Sequence, residues 1–554
     1  MDTVNPKLSA IISYVKLIFK RSFVAVLNER VQLVLILILG AALRLINLGN
    51  QPYWGDEALS AGVLRHYANL GDLIQYVRLI EYYPPLSYIL LHFWSGIFGD
   101  SVLAMRSPSM ILGTITIFVT YLFGQTMFNG RRVGLYAALI VAVLPMQINF
   151  SQYIRPYAMI SLFGLLAAFA YVRYNQERSF VAIILYVISS VLGLYAHYSF
   201  IFILLPVAVF WIIETLLRDK ESLVRSFITW LSVHAVIFLA FYPWLEFFLY
   251  KLIFNKYIIF SLPESMHFAL RDVSFFGITV GQLLWTSKGL PVSRIEVFSI
   301  LLVKLALIGF VAYLFWVKNE QIRQLFKGHA SAITFLSWMI IVPMTMYLFS
   351  PVSIPYTPIP QQHIIIVSIM VALFIAVIID QFSLKLQLLF ISLFLTSLLT
   401  FTVNVIGDDS LWDVQYRLEG IASFINDNYN KGDIVVSGYN ILRTDLNYYL
   451  RPELSTIGFY PTNYYGIDFM NSRDTMGLAE TEFHFHLGQP TQQEFFSRMD
   501  NLVKFNKAKR IWLTFFIWPT WMENWAKERG WNKEFSSIHK LLPLELYEKK
   551  VENK

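Results

Sequence analysis

Two adjacent acids, Asp56 and Glu57, stand in Tyr53-Trp54-Gly55-Asp56-Glu57, directly after an apolar run from Val31 to Leu48 that is long enough to cross a bilayer. Carboxylates beside a bilayer are costly to desolvate and are usually kept for a task. The simplest task is capping, because acids are favoured in the first turn of a helix. The chemical alternative is proton abstraction. Partial desolvation lifts a carboxyl pKa toward the working pH, which is what a general base needs. Leu59, Val63, His66 and Leu70 recur at helical spacing after Asp56 and predict an amphipathic helix on the membrane surface. Neighbouring residues on a helix point in different directions. Asp56 and Glu57 are therefore expected to hold separate roles and not to share one proton.

The second set of candidates is basic. Arg155 lies in Asn149-Phe150-Ser151-Gln152-Tyr153-Ile154-Arg155-Pro156-Tyr157-Ala158, a junction between two apolar runs. A planar guanidinium there suits a phosphate or serves as counter-ion to Asp56 or Glu57. Arg44 sits inside the first apolar run, where a carboxylate or a lipid phosphate is its expected partner. Arg106, in Met105-Arg106-Ser107-Pro108, either snorkels to the interface or binds an anionic headgroup. His197, in Tyr195-Ala196-His197-Tyr198, and His363, after Pro358, Pro360, Gln361 and Gln362, each mark the end of an apolar run. Structural hydrogen bonding is the competing role for His197. Tyr83, before the rigid Pro84-Pro85 pair, and Tyr157 join them as candidate substrate contacts. No glycine-rich phosphate loop, zinc-type histidine cluster or Ser-His-Asp order stands out. A divalent cation is possible but nothing requires one, and no cofactor is expected.

These residues must be positioned by a membrane scaffold. The chain is 56% hydrophobic and 15% charged, too apolar for a soluble protein of this size. Apolar runs fall near 31–48, 103–128, 133–150, 156–174, 180–196, 198–217, 226–249, 295–317, 329–350, 363–380 and 384–406. The shorter run 84–98 decides the topology. If it does not cross, Arg131-Arg132, Arg173/Arg178, Arg218/Lys220/Arg225, Lys318/Arg323/Lys327 and Lys385 share the side of the basic amino terminus, as the positive-inside rule favours. About eleven spans are then expected, with the amino terminus cytoplasmic, retained and not a cleaved signal. Residues 1–406 form the membrane domain of an inner-membrane protein. Residues 407–554 form an external soluble α/β domain. The first loop, the Ser151–Pro156 junction, the 250–294 loop, the 351–362 loop and the soluble domain are all expected to face outward, where they can converge on one cleft. Chemistry on that side needs a substrate already activated and carried across the bilayer. Net positive charge fits cytoplasmic basic loops and is no sign of nucleic-acid binding. Cysteine is absent, which excludes thiol catalysis, thiolate metal sites and disulfides.

The order of motifs resembles a known family. Arg44-Leu45 leads to Trp54-Gly55-Asp56-Glu57, then Pro84-Pro85-Leu86, Arg106-Ser107-Pro108, Arg131-Arg132-Val133-Gly134, Ser151–Ala158 and Tyr195-Ala196-His197-Tyr198. This set is similar to the family-39-like glycosyltransferases of the GT-C fold, the bacterial protein O-mannosyltransferase and aminoarabinose transferase group. The resemblance implies a polyprenyl-phosphate sugar as donor and inversion at the anomeric carbon. It implies that Asp56 activates an acceptor on a lipid, polysaccharide or protein, and that basic groups at external span ends hold the departing lipid phosphate. The chain departs from the pattern at Tyr153, where relatives often have Glu, and at Gln361-Gln362-His363, where they often have an Arg-Tyr pair. The rival readings are a lipid-linked glycan flippase and an O-antigen-type polymerase or ligase. A transporter should show internal repeats or interrupted helices. A ligase should concentrate its charges in a late loop.

In the soluble domain, helices near Leu418–Asn428, Thr444–Leu450 and Trp518–Arg529 are expected, with strands at Asp433–Ser437, Arg510–Phe516 and Leu541–Tyr547. Trp518, Trp521 and Trp525 serve either core packing or sugar stacking.

Overall fold

The computed structural model describes residues 28–53, 55–79, 81, 83–217, 220–254, 329–348, 365–383, 387, 391, 413–437, 446, 448–451, 453–458, 492–514, 520–539 and 542–549. Two compact units emerge. The first comprises Met1–Leu48, Ile74–Ile97 and Arg106–Gly407, and the second comprises Gly49–Leu73, Phe98–Met105 and Asp408–Lys554.

The first unit is helical. Its elements are α1 (Glu29–Leu45), the greater part of α3 (Leu70–Leu79), α4 (Leu86–Phe98) and α5 (Val102–Phe128), then α6 (Arg131–Val143), α7 (Pro145–Phe150), α8 (Tyr157–Glu177) and α9 (Phe180–Ala196). A 3-10 turn at Tyr198–Phe200 leads into α10 (Ile201–Leu216), followed by α11 (Lys220–Phe254), α12 (Ala330–Leu348) and α13 (Ile365–Asp380). Helix α2 (Gly55–His66) belongs to the second unit. Among the described residues, Val102–Phe128, Tyr157–Glu177, Tyr198–Leu216 and Leu223–Leu249 are long and apolar enough to cross a membrane. On α11, Ile228, Leu231, Val236, Phe238 and Leu239 are 51–66% exposed. A stripe of that kind is stable only against lipid or another apolar surface. The protein is an integral membrane protein.

Small residues set the packing distance, as is usual where lipid removes the hydrophobic drive between helices. A Cβ on Gly134 of α6 would come within 2.5 Å of the Tyr121 carbonyl of α5, and one on Gly124 would lie 3.0 Å from the Gly134 Cα. Only hydrogen at both positions lets these backbones meet. Helix α13 is buried along most of its length, at Ile366, Val367, Met370, Leu373 and Ala376 among others, and packs on α6, α8 and α12.

The apolar run 133–150, expected as one span, is instead two helices. Pro145 has no N–H to continue the ladder, and Leu144 leaves the helical region at φ −69°, ψ 117°. Helix α4 has 13 residues, about 20 Å at 1.5 Å per residue, which is short of the roughly 30 Å hydrocarbon core. The run 295–317 and all but two residues of 384–406 lie outside the described residues.

In the second unit a five-stranded sheet has the order β2-β1-β3-β5-β4, with β1 (Ile434–Ser437), β2 (Ser455–Gly458), β3 (Arg510–Thr514), β4 (Trp531–His539) and β5 (Leu542–Lys549). The first three strands are parallel, and β5 runs antiparallel to both β3 and β4. Strand alternation sends Ile434, Val436, Ile511 and Leu513 to one face, against α15 (Gln492–Asn506) and α16 (Thr520–Glu528). Val435 and Trp512 go to the other, against α14 (Asp413–Asp427), Leu446 and Leu450. Trp525 is in the first core, so packing and not sugar stacking is its role. Trp518 and the Trp521 side chain lie outside the described residues. Strands β2 and β4 and helix α15 were not anticipated. Asp433 ties β1 to β3, accepting from Arg510 Nε at 3.1 Å and Nη2 at 2.6 Å and from Trp512 Nε1 at 2.9 Å.

Candidate active site

In the helical unit, four of the expected substrate contacts come together: Tyr83, Arg155, Tyr157 and His197. Arg155 is on the short turn between α7 and α8. Pro156 caps α8 with φ −71°, so Tyr157 opens that helix while Arg155 stays outside it. The Arg155 guanidinium carbon lies 5.0 Å from the centroid of the Tyr83 ring, within cation–π range. Tyr83 stands 4.8 Å from the His197 ring, and its hydroxyl is 3.5 Å from that of Tyr157. Tyr157 in turn is 6.3 Å from His197 and 5.2 Å from Phe150, ring to ring. Arg155, Tyr157 and His197 are buried, and Tyr83 is half-buried.

His197 is fixed by its backbone as well as its ring. It ends α9 in extended conformation, and its Nδ1 accepts from the Ser199 N–H at 2.9 Å. Nδ1 is thus committed as an acceptor, so the neutral ring carries its proton on Nε2, which is then a donor. The turn that follows seats Phe200 against Gly193, where a Cβ would approach to 2.2 Å. Glycine at 193 is what allows His197 to be held where it is.

The junction bearing Arg155 rests on Arg44. The break at Leu144-Pro145 strands carbonyls at the end of α6, because residue 145 cannot donate back to Val141. Arg44 supplies the missing donors, Nη2 to the Val141 carbonyl at 3.3 Å and Nη1 to that of Ala142 at 3.0 Å. Its Nη1 also donates to the Gly40 carbonyl at 3.0 Å, and its Nε donates to Ser151 Oγ at 3.2 Å. Arg44 is wholly buried. The carboxylate or lipid phosphate expected as its partner is replaced by protein carbonyls and one hydroxyl. Gln152 Nε2 donates to the Arg44 and Ile46 carbonyls at 3.1 and 2.7 Å, and Gln147 Nε2 to the Ile365 carbonyl and Ser368 Oγ at 3.2 and 3.0 Å.

Arg106 is likewise buried, 2% exposed, and donates to the Leu48 carbonyl at 3.2 Å. The expected snorkelling into water does not occur, because this carbonyl lies within reach inside the protein. Beside it, Trp94 Nε1 of α4 donates to Ser107 Oγ at 3.0 Å. His363 lies outside the described residues. Glu81, Gln147 and Gln152 were passed over in the sequence. Glu81 is buried and accepts from the Tyr88 hydroxyl, and an acid two residues before Tyr83, at the edge of the apolar run 84–98, was the available signal.

In the second unit, Asp56 and Glu57 occupy the first turn of α2. Glu57 is fully buried, whereas a carboxylate serving only as a cap commonly stays in water. The Asp56 side chain lies outside the described residues. Among the described residues, no group of three or more His, Asp or Glu could hold a metal ion.

Residues 83–247 match the family described as dolichyl-phosphate-mannose-protein mannosyltransferase. That stretch contains the whole Tyr83–Arg155–Tyr157–His197 cluster. Across 93% of its length the chain is similar to the crystal structure of ArnT from Cupriavidus metallidurans in the apo state. That match covers 97% of the ArnT chain, at 13% identity and a TM-score of 0.59. The chain has the GT-C fold seen in ArnT. ArnT bound to undecaprenyl phosphate matches over the same shares of both chains, with 13% identity and a TM-score of 0.57. The archaeal oligosaccharyltransferase AglB from Archaeoglobus fulgidus, in complex with an inhibitory peptide and a dolichol-phosphate, matches 95% of this chain and 74% of its own. Its identity is 12% and its TM-score 0.51. No curated protein matches the chain in sequence.

Proposed function

We propose that the protein transfers a sugar from a polyprenyl-phosphate donor to an acceptor on the external face of the inner membrane, with inversion. The observation that carries this reading is the buried Arg155 braced on Tyr83, beside a histidine whose Nε2 is a donor, in the stretch that matches the mannosyltransferase family. The acceptor is a hydroxyl or amine on a lipid, polysaccharide or protein.

The chemistry balances as follows. Asp56 takes the acceptor proton. The acceptor heteroatom bonds to the anomeric carbon from the face opposite the phosphate, and the carbon–oxygen bond to the phosphate breaks with its electron pair on that oxygen. The donor phosphodiester carries one negative charge and the released monoester up to two. Arg155 and the His197 Nε2–H are the groups suited to receive the extra charge, an interaction that strengthens as the bond breaks. Arg44 acts on this reaction through the backbone it holds.

The test is purified protein with radiolabelled polyprenyl-phosphate mannose and polyprenyl-phosphate aminoarabinose, offered with cell-envelope lipid, polysaccharide and peptide acceptors. Release of polyprenyl phosphate that requires an acceptor is expected. Asp56→Asn should lower it by at least about 100-fold, the scale of general base catalysis. Movement of intact lipid across vesicles without cleavage would instead make the protein a flippase.

A further inference from the structure

The soluble domain holds the acid-bearing helix at both ends. Helix α2, the 98–105 segment and residues 446–450 all belong to the second unit. At the front of α2, three residues before Asp56, the Tyr53 backbone N–H donates to the Tyr449 hydroxyl at 3.0 Å. The Tyr53 ring meets the Tyr448 ring edge-on at 4.8 Å, and Tyr53 is fully buried. At the far end of the same helix, Arg65 converges on Tyr448 three ways. Its Nη1 donates to the Tyr448 carbonyl at 3.0 Å, its Nη2 to the Tyr448 hydroxyl at 3.2 Å, and its guanidinium carbon lies 4.2 Å above that ring. Its Nε binds Asp100 at 2.7 Å.

We infer that Arg65, Tyr448 and Tyr449 form a latch through which the soluble domain sets the position of Asp56. This inference rests on the reading of Asp56 as base. Two tyrosines adjacent in sequence grip opposite ends of one helix, and both sit just before Leu450, which is buried in the sheet's core. The helix is thereby referred to the rigid sheet and not left to its own short loop. Stability is not the main yield. The Arg65 and Asp100 side chains are 45% and 55% exposed, and exposed ion pairs contribute little to stability. What the latch supplies is orientation, and a displacement of about 1 Å at a reacting group costs roughly 100-fold in rate. Burial draws the Arg65 pKa down, but its hydrogen bond to Asp100 and the fields of Tyr448, Asp100 and Tyr53 outweigh that and raise it. The guanidinium stays charged at every working pH. Arg65, Tyr448 and Tyr449 are positioning residues, since none is placed against substrate.

Two readouts test this on the full-length protein. Gly62 lies on α2 with open space around its Cβ position, and the chain has no cysteine. Gly62→Cys therefore carries a nitroxide as the single labelled thiol. Arg65→Ala is expected to sharpen the nitroxide spectrum and lower kcat about 10- to 100-fold, with undecaprenyl-phosphate affinity unchanged and Arg65→Lys recovering part of the rate. Tyr449→Phe, which removes only a hydroxyl and folds most safely, should do the same to a smaller degree. An unchanged nitroxide spectrum in both Arg65→Ala and Tyr449→Phe overturns the latch. So does an unchanged kcat in Arg65→Ala while Asp56→Asn is inactive. If Asp56→Asn itself turns over normally, the base assignment has failed. The spectra then still decide whether the soluble domain holds α2.

Discussion

Arg44→Met removes a guanidinium from the last turn of the first helix and fills most of its volume with an apolar chain. The Val141 carbonyl has no helical donor, because residue 145 is proline, and the Ala142 carbonyl lies beside the same break. Each buried acceptor left without a donor costs about 1–3 kcal/mol, giving about 2–6 kcal/mol for the pair. Removing a desolvated cation returns part of that, so a net loss of about 2–4 kcal/mol is expected. The Gly40 carbonyl adds little, being inside α1 with its own ladder. Arg44→Lys should fall between the parent and Met, since one ammonium cannot span carbonyls and hydroxyl in the guanidinium's planar fork. The measurement is thermal inactivation of detergent-solubilised protein, read as monodisperse fraction against temperature, alongside undecaprenyl-phosphate affinity at low temperature. Arg44→Met should lose several degrees and keep its affinity. Full thermostability combined with lost affinity would refute the reasoning and return Arg44 to the phosphate.

Arg155 should behave in the opposite way. Arg155→Ala is expected to weaken undecaprenyl-phosphate binding about 10- to 100-fold, the range of one or two charge-assisted hydrogen bonds at 1.4 kcal/mol per decade. Arg155→Lys should lie between, and unchanged affinity in both would make Arg155 structural. Topology is testable with single cysteines at Gly71 and Gly130, read with a thiol reagent that cannot cross the inner membrane. Gly71→Cys should label in intact cells and Gly130→Cys only after the membrane is opened. Labelling of both from outside would show that residues 84–98 cross the bilayer and would put Arg155 on the wrong side for the proposed reaction.

The fold was legible wherever one local signal dominated. Long apolar runs marked α5, α8, α9 and α10, and short β-branched runs marked β1 and β3. The run at 133–150 misled because hydropathy does not register a missing N–H. A single Pro145 lowers the average of this apolar window too little to show, while it ends the helix. Strand β4 was missed for a related reason. Trp531–His539 carries Asn532, Lys533, Glu534, Ser536 and Ser537, so it reads as polar loop. Its strand character comes from pairing with β5, which no local window contains.

The site was legible in its residue types and less so in their division of labour. Tyr83, Arg155, Tyr157 and His197 were singled out from four separate motifs, and they do meet. Arg44, Arg106 and Arg155 looked alike in sequence, three buried-region arginines each inviting an anion. What separates them is the backbone around each. Arg44 faces a proline break that needs donors, and Arg106 donates to the Leu48 carbonyl. Arg155 follows that break on a turn capped by Pro156, outside the helix, against an aromatic ring. The proline that hides the break from hydropathy is thus the reason Arg44 is buried, and Arg44's hold on Ser151 is what anchors the turn that carries Arg155. Intramembrane charge marks the neighbourhood of a site. In the proposed reaction it is Arg155, and not the Arg44 that fills the proline break, that is assigned to the phosphate.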